Sequence, residues 1–317
     1  MKTSRQQLIN EAQKAKFHPE ILEKVWWLLE ILEEIDNHPF LKGKVALKGG
    51  TALNLFYFDV PRLSVDIDLN YIGSVDKAKM LLQRPLIEKS LEAIFSKIGL
   101  SIHRIPYKHA GGKWQLKYDS HLTGRGNLDV DLNFMFRLPI YDMSYRDSRI
   151  VGNQQAKHVL LVNYHEIAAG KLTALFARHA SRDLFDTYHL LNDESLDKSR
   201  LRLLFCVFGA MSSIDWRTIS LDKVNFEAQE LSQQLVPVLG IGRHKEWVKN
   251  VSAIVEKCRE KLNVFLPFTK NERLFFDLLY DEGKVDASLL TDQLDLIEKI
   301  QGQPLIKWKS ELVLQNQ

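Results

Sequence analysis

The stretch that decides the fold has two halves, Val45-Ala-Leu-Lys-Gly-Gly-Thr-Ala-Leu53 and Arg62-Leu-Ser-Val-Asp-Ile-Asp-Leu-Asn70. The second half alternates polar and apolar residues, which predicts a β-strand. Because positions i and i+2 share a face of a strand, Asp66 and Asp68 point the same way and the apolar residues between them point into a core. Neighbouring carboxylates repel each other unless a cation lies between them, and Mg²⁺ binds carboxylate oxygens together with water and phosphates. The pair therefore predicts a divalent metal site.

The first half predicts a phosphate site beside the metal. Gly49 and Gly50 allow a tight turn and a close approach of the backbone to a ligand. Residues 52–56 read as the start of a helix, whose N–H groups and partial positive charge attract anions. Three nearby side chains are further candidates to bind phosphate: Thr51, Ser64 and Arg62. A strand, a glycine turn, a helix and an Asp-x-Asp strand together predict a triphosphate held next to its metal ions.

These residues carry a resemblance to a known family. Lys48-Gly-Gly-Thr-Ala-Leu, with Arg62-x-Ser64-x-Asp66-x-Asp68, resembles the signature of the AbiEii/AbiGii toxin family in the polymerase-beta superfamily of nucleotidyltransferases. The resemblance covers roughly residues 40–190. It implies a two-metal, NTP-dependent nucleotidyltransferase whose nucleotide-binding residues include Lys48, Gly49, Gly50, Thr51, Arg62 and Ser64. Arg62 either contacts the phosphates or braces Asp66.

A second strand supplies the third acid that this family uses. Leu128-Asp-Val-Asp-Leu-Asn-Phe134 again places two acids, Asp129 and Asp131, on one face. In the toxin family the corresponding strand carries an acid, an apolar residue, Asn, an aromatic residue and soon afterwards an Arg. Asp131-Leu-Asn-Phe134 with Arg137 matches that order. The resemblance implies that Asp131 joins Asp66 and Asp68 as a metal ligand, with Asp129 as the alternative.

The second informative stretch follows the predicted sheet. Residues 164–178 read as a helix, and the family places a Lys in its body and an Arg-Asp-x-x-Asp element after it; Lys171, Arg182, Asp183 and Asp186 occupy those positions. The resemblance implies that Lys171 is a catalytic residue that binds the triphosphate, for which a compact ammonium is suited. Asp183 either deprotonates an acceptor hydroxyl or locks an active-site base. Asp186 is predicted to be structural and to pair with Arg178 or Arg182.

The period of the hydrophobic pattern changes from 2 to 3.6 after residues 138–157. The chain is therefore predicted to have an α+β fold. An N-terminal nucleotidyltransferase domain with a mixed sheet spans residues 1–150. An all-helical domain spans residues 151–317 and carries Lys171 and Asp183 at the domain interface. The length of 317 residues agrees with two domains.

Composition excludes several classes of protein. With 43 basic and 40 acidic residues, the net charge of +3 is too small to indicate nucleic-acid binding by itself. The two cysteines form no disulfide framework or zinc motif, which is typical of a reducing cytosol. The first residues show no apolar signal region, and no run approaches the ~20 apolar residues of a membrane span. A cytoplasmic protein without a membrane partner is expected.

The favoured hypothesis is the toxin of a bacterial toxin–antitoxin or abortive-infection system that adds nucleotides to tRNA 3′ ends. Its cofactors would be two Mg²⁺ ions, or Mn²⁺ in their place. Its partners would be an NTP, tRNA or another RNA, and a cognate antitoxin encoded nearby. One alternative is an NTP-dependent modifier of a protein or small molecule. Another is a non-catalytic binding protein with a relict fold, against which the three acids and Lys171 argue.

Overall fold

The computed structural model describes residues 3–105 and 111–316. The chain divides into two compact units. The first unit consists of Met1–Arg137, Asp142–Val162 and Val236–Lys245, and the second of Leu138–Tyr141, Asn163–Leu235 and Glu246–Gln317. The sequence predicts a boundary after residue 150, whereas the first unit continues to Val162. The predicted position of Lys171 and Asp183 at a domain interface remains a prediction.

The first unit is built on a mixed sheet with helices. Its strands are β1 (Val45–Lys48), β2 (Asp66–Tyr71), β3 (Ser101–Arg104), β4 (Gly111–Tyr118), β5 (Gly126–Asn133), β6 (Ser144–Arg146) and β7 (Val159–Leu161). Its helices are α1 (Arg5–Ala15), α2 (Pro19–Asn37), α3 (Gly49–Ala52) and α4 (Lys77–Lys97). The strand order among the described residues is β3-β4-β5-β2-β1-β7-β6.

The pairing explains both the mixed character of the sheet and the extent of the unit. The pairs β1–β2, β3–β4, β4–β5 and β6–β7 are antiparallel, while β2–β5 and β1–β7 are parallel. Because β7 pairs with β1, the stretch Asp142–Val162 that contains β7 belongs to the first unit. The predicted strand pair began at residue 110, which lies outside the described residues; its two strands are β4 and β5.

Alternation along β2 and β5 determines which side of the sheet is buried. Ile67 and Leu69 of β2 are buried, as are Val130 and Leu132 of β5, while the aspartates between them are half-buried. Burial of a branched aliphatic side chain contributes about 1.5–3 kcal/mol. The apolar face therefore fixes the orientation of both strands, and the aspartates take the opposite face.

One segment from late in the chain returns to the first unit. The N–H of Leu63 donates to the carbonyl of Val238 at 2.8 Å, and the N–H of Ile241 donates to the carbonyl of Lys16 at 2.6 Å. The sequence predicts that residues 197–317 are helical throughout. The helices predicted within this range, at residues 224–234 and 244–263, leave a gap at this segment. In the structure residues 239–242, between the 3-10 turn Val236–Val238 and the helix Arg243–Leu262, are not helical, and the segment bonds to the first unit through its backbone groups.

The second unit is helical. It contains α5 (Tyr164–Arg178), α6 (Ser181–Leu191), α7 (Lys198–Met211), α8 (Ala228–Glu230), most of α9 (Arg243–Leu262), α10 (Lys270–Glu282), α11 (Leu294–Gln301) and α12 (Pro304–Gln315). Aromatic rings form its core: Phe176 lies edge-on to Phe205 and to Trp216, with ring centroids 5.7 and 5.8 Å apart. Among the helices of the described chain, none is long and apolar enough to cross a membrane.

A buried carboxyl group joins the start of α5 to the segment Leu138–Tyr141. Oε1 of Glu166 accepts the backbone N–H groups of Ile140 at 3.1 Å and Tyr141 at 2.9 Å. Burial raises the pKa of Glu166 from 4.5 to about 7, although the two N–H bonds and the charge of Lys299 act in the opposite direction. The carboxyl group therefore takes up a proton more readily in the folded chain than in the unfolded chain.

This difference makes the stability of the protein depend on pH. A raised pKa gives a contribution that is present below the unfolded value of 4.5 and is lost as the pH rises through the folded value of about 7. Glu166→Gln keeps the carbonyl acceptor and removes the titration. We expect the free energy of unfolding of the wild type to fall relative to this variant by about 1–3 kcal/mol between about pH 5 and about pH 8. Urea denaturation across that range measures it, and parallel pH profiles for the two proteins would contradict it.

Candidate active site

Four carboxylates lie on one face of two adjacent strands. In the parallel pair β2–β5, Asp66 is opposite Asp129 and Asp68 is opposite Asp131. Neighbouring strands lie about 4.8 Å apart, so each pair of aspartates is brought to within contact range of a shared cation. The structure thus brings the three predicted metal ligands, Asp66, Asp68 and Asp131, onto one face.

Lys113 on β4 distinguishes the two candidates for the third acid. Its ammonium lies 3.1 Å from Oδ2 of Asp129. Burial acts to lower the pKa of Lys113, but the bond to Asp129, with the charges of Asp66 and Asp131, raises it overall. Since Asp129 has this ion-pair partner, the geometry favours Asp131 as the third acid, which remains a prediction. Sequence analysis missed Lys113. The alternating pattern of β4 shows which face of the strand Lys113 occupies, but only the register between β4 and β5 brings it next to Asp129 and Asp131.

The electrostatic environment of Asp131 is unfavourable for its own charge. Burial raises the pKa of Asp131, and the neighbouring charge of Asp68 raises it further, against the opposing effect of Lys48 and Lys113. Lys48 lies opposite Asp68 in the β1–β2 pair. Asp68 and Asp131 side by side form a site where an added cation would be stabilised, and Lys48 and Lys113 on the flanking strands offset only part of their repulsion.

The glycine turn lies against these acids. Gly49 has a φ of +73°, and a Cβ built on it would lie 2.3 Å from Oδ2 of Asp68. Only glycine therefore allows the backbone to approach this carboxylate so closely. The sequence places the helix start at residues 52–56; in the structure the glycines already belong to α3, and Leu53–Tyr57 forms a π-helical turn.

One side chain holds the glycine turn against β2, and another bonds within the turn itself. The hydroxyl of Thr51 is buried and donates to the backbone carbonyl of Asp66 at 2.5 Å. Nδ2 of Asn54 donates to the carbonyl of Gly50 at 3.0 Å. A hydroxyl has one proton to donate, so that of Thr51 positions β2 here and is not directed at a phosphate. Asn54 was missed by the sequence analysis, although its spacing of four from Gly50 is that of neighbours on a helix.

Arg62 and Ser64 are both buried. The guanidinium of Arg62 donates to the carbonyl of Leu63 at 2.9 Å, and Arg62 forms a β-bridge with Leu239. A buried guanidinium requires bonds within the protein. Of the two roles predicted for Arg62, its burial favours bracing the strand of Asp66 over contacting a phosphate.

The second predicted cluster lies within the second unit. The ammonium of Lys171 is buried, 3.0 Å from Oδ1 of Asp183 and 2.8 Å from Oδ2 of Asp186. Arg178 donates to Asp183 from Nε at 2.6 Å and from Nη2 at 3.0 Å. Arg178, one of the two partners predicted for Asp186, thus bonds to Asp183, and Asp186 pairs with Lys171.

These contacts bear on the role of Asp183. Burial acts to raise its pKa, but the charge of Lys171 and the bonds from Arg178 outweigh burial and lower the pKa of Asp183. A carboxylate with a lowered pKa is a weak base. The arrangement therefore favours Asp183 as the residue that holds Lys171 in place over Asp183 as the group that deprotonates a hydroxyl.

The three aspartates of the first unit are ligands of the chemical type that a hard cation binds. Asp66, Asp68 and Asp131 offer only oxygen ligands, as Mg²⁺ prefers. Burial first and the neighbouring charge of Asp68 second raise the pKa of Asp131, and a bound cation would offset both effects. In residues 3–105 and 111–316, however, no three acidic, histidine or cysteine side chains lie close enough together to hold a metal ion. The strands align the donors, and their side chains are not gathered around one point.

Replacing Gly49 by Ala tests how closely the turn approaches Asp68. Gly124 is a matched control, because its φ is +79° and a Cβ there would meet nothing within 4 Å. Both substitutions add left-handed backbone strain, and only that at Gly49 adds a clash. We expect Gly49→Ala to lower the free energy of unfolding by about 1–3 kcal/mol more than Gly124→Ala. Chemical denaturation measures both variants, and equal losses would refute the close approach.

Replacing Lys171 by Ala tests the buried ion pairs. The substitution leaves two buried carboxylates without this cation, so we expect it to destabilise the protein by about 3–5 kcal/mol. Arg178→Ala is the control: 64% of the Arg178 side chain is exposed, so water screens its pair with Asp183 and the loss should be about 1 kcal/mol or less. Thermal and urea denaturation measure both. A Lys171→Ala variant as stable as the wild type would mean that the ion pairs do not form.

Comparisons with known proteins give the family. Residues 30–249, more than two-thirds of the chain, match the family model described as nucleotidyl transferase AbiEii toxin, type IV toxin–antitoxin system. The nucleotidyltransferase toxin MenT4 from Mycobacterium tuberculosis H37Rv has a similar fold, with a TM-score of 0.60, 12% identity and coverage of 98% of this chain and 99% of that chain. No curated protein matches the sequence. The predicted α+β fold and family resemblance are confirmed, and the chain belongs to the AbiEii nucleotidyltransferase toxin family of type IV toxin–antitoxin systems.

Proposed function

We propose that this chain transfers nucleotides from an NTP to the 3′ end of tRNA in a metal-dependent reaction, and that it inhibits growth by doing so. The observation that carries the proposal is the in-register pairing of β2 with β5, which aligns Asp68 with Asp131 next to Gly49. Aligned acids beside a glycine turn are the parts that a nucleotidyl-transfer site requires.

Asp66, Asp68 and Asp131 would hold two Mg²⁺ ions, or Mn²⁺. When bound, such ions increase the acidity of an acceptor hydroxyl and neutralise the charge of leaving pyrophosphate. The chain's own residues orient this site. Thr51 fixes the carbonyl of Asp66, and Gly49 gives the backbone access to Asp68. These contacts hold the carboxylate-bearing strand and the glycine turn in one arrangement before any ligand binds.

Cations of the chain would bind the triphosphate. Lys48 occupies the N-cap position of α3 at the glycine turn and lies opposite Asp68, which makes it a candidate for the phosphate oxygens. Lys171 is the second candidate, and Asp183 and Asp186 keep its ammonium charged and oriented. A lysine that is already held by carboxylates loses little conformational freedom when it binds a phosphate.

tRNA is proposed as the acceptor because its 3′ hydroxyl is the group that must be free for aminoacylation. A nucleotide added to that end would stop translation, which agrees with a toxin. The proposed reaction takes place in the cytoplasm. An antitoxin is the expected partner of a toxin of this family. Phosphate contacts with RNA should weaken steeply as salt rises.

The test compares carboxylates that share one face. Purified wild type, Asp66→Ala, Asp68→Ala, Asp131→Ala and Asp129→Ala are incubated with Mg²⁺, each labelled NTP and purified tRNA, and the tRNA 3′ ends are sequenced. We expect the first three variants to lose transfer by more than about 100-fold. Losing a residue that only orients a metal ligand costs up to about 100-fold, and losing the ligand itself should cost more. Asp129→Ala is the matched control and should retain transfer, because Asp129 is paired with Lys113.

The same variants test the toxin activity in cells. Expression of the wild type and of Asp129→Ala should slow bacterial growth, whereas Asp66→Ala and Asp68→Ala should not. Circular dichroism confirms that each variant is folded. Unaltered tRNA ends combined with growth inhibition would reject tRNA as the acceptor. Transfer by Asp68→Ala at the wild-type rate would reject the two-metal site.

A further inference from the structure

Helix α4 has an apolar outer face. We call this surface the leucine face, which consists of Ala78, Leu81, Leu82, Pro85 and Leu86, all of them exposed. The exposed fractions are 52% for Leu81, 77% for Leu82 and 55% for Leu86. The opposite side of the same helix is buried in the core of the first unit through Met80, Ile87, Leu91 and Ile94. Both sides of this half of α4 are therefore apolar.

This pattern departs from that of an ordinary surface helix, whose outer face is polar. The spacing of the leucine face is three or four residues, so its members form one continuous stripe over about two turns. Pro85 lies in the stripe and has no N–H, so the helix loses one backbone bond at this place. Contiguous exposed leucines mark an interaction surface more often than scattered single ones do.

The charges around the leucine face are positive. Lys77, Lys79 and Lys89 are exposed, and none of them forms a side-chain ion pair within residues 3–105 and 111–316. The carboxylates on the same helix have partners already. Asp76 accepts the N–H of Lys79, Glu88 pairs with Arg84, and Glu92 accepts from Trp114. A binding partner therefore meets leucines flanked by lysines.

We propose that the leucine face binds an amphipathic helix of a partner protein, with apolar residues at a spacing of three and four and with acidic residues along the edges of its apolar stripe. A helix fits because the stripe is about as long as two helical turns and about as wide as one face of a helix. The acidic edges follow from charge complementarity with Lys77, Lys79 and Lys89.

A second copy of the chain complements this surface poorly. If two α4 helices packed antiparallel about the centre of the leucine face, Lys77 and Lys79 of each would lie near Lys89 of the other. Parallel packing would place each lysine beside its own equivalent. Like charges at an interface disfavour association by several kcal/mol. An anionic lipid surface is the other class of occupant that would complement the lysines, and the vesicle measurement below tests it.

The proposal is tested with two fluorescein-labelled synthetic helical peptides of equal length. Both carry leucines at a spacing of three and four; one has glutamates along the edges and the other has lysines at the same positions. Fluorescence anisotropy measures their binding to the full chain. We expect the glutamate peptide to bind at least roughly tenfold more tightly than the lysine peptide, and its affinity to fall with added salt.

Three variants of the full chain locate the site. Leu82→Glu/Leu86→Glu should weaken binding of the glutamate peptide by roughly tenfold or more. Lys77→Glu/Lys79→Glu should weaken it and strengthen binding of the lysine peptide. Leu294→Glu is the matched control, since Leu294 is 76% exposed and lies in the other unit, and it should bind both peptides as the wild type does. All of these substitutions are at exposed positions, and thermal denaturation checks that the variants are folded.

Several results would overturn the proposal. Equal binding of the two peptides, no binding of either, or equal losses for the Leu294→Glu control would each reject an acidic helix at the leucine face. Sedimentation of a dimer that Leu82→Glu/Leu86→Glu dissociates would assign the face to a second copy. Binding to phosphatidylglycerol vesicles, lost in the same variant, with no peptide binding, would assign it to a lipid surface. None of these measurements depends on the transfer reaction.

Discussion

The in-register parallel pairing of β2 with β5 is the constraint on which the candidate active site depends. Side chains alternate along a strand, so a slip of one residue would turn Asp129 and Asp131 into the core and bring Val130 and Leu132 out of it. The burial of those two apolar residues makes such a slip unfavourable. Hydrophobic burial on one face of the sheet thus keeps like-charged carboxylates together on the other, where electrostatics alone would separate them.

The order of the strands moderates this repulsion. The acid-bearing pair β5–β2 lies between β4 and β1, and each flanking strand contributes a lysine, Lys113 and Lys48 respectively. Lys113 binds Asp129, which leaves Asp68 and Asp131 as the aligned pair next to the glycine turn. Thr51 then ties that turn to the start of β2. The same sheet that creates the charge cluster therefore also determines which of its members are neutralised by the protein.

The parts that the sequence predicts correctly are local ones. The alternation of residues 66–70 identifies β2, and the shared face of Asp66 and Asp68 follows from a period of two. The partner of Lys113, by contrast, depends on a strand register between residues 16 positions apart, and sequence patterns do not specify it. The return of residues 236–245 to the first unit is less predictable still, because its bonds to Leu63 and Lys16 use backbone groups that every sequence has. Lys171 shows a third case: its position is matched by a family motif, but its two carboxylate partners depend on how α5 and α6 pack.

The two aspartate clusters of this chain differ in how far the protein itself compensates their charge. Burial by itself acts to raise the pKa of both Asp131 and Asp183, and Asp183 is the more deeply buried of the two. Yet the pKa of Asp183 is lowered, since Lys171 and Arg178 more than offset its burial, while the pKa of Asp131 is raised because Asp68 adds to the effect of burial. The charge of Asp183 is therefore satisfied by the protein, and that of Asp131 is not. A carboxylate held in a charged but unsatisfied environment favours an external cation, which is why the candidate metal ligands lie on β2 and β5 and not beside Lys171.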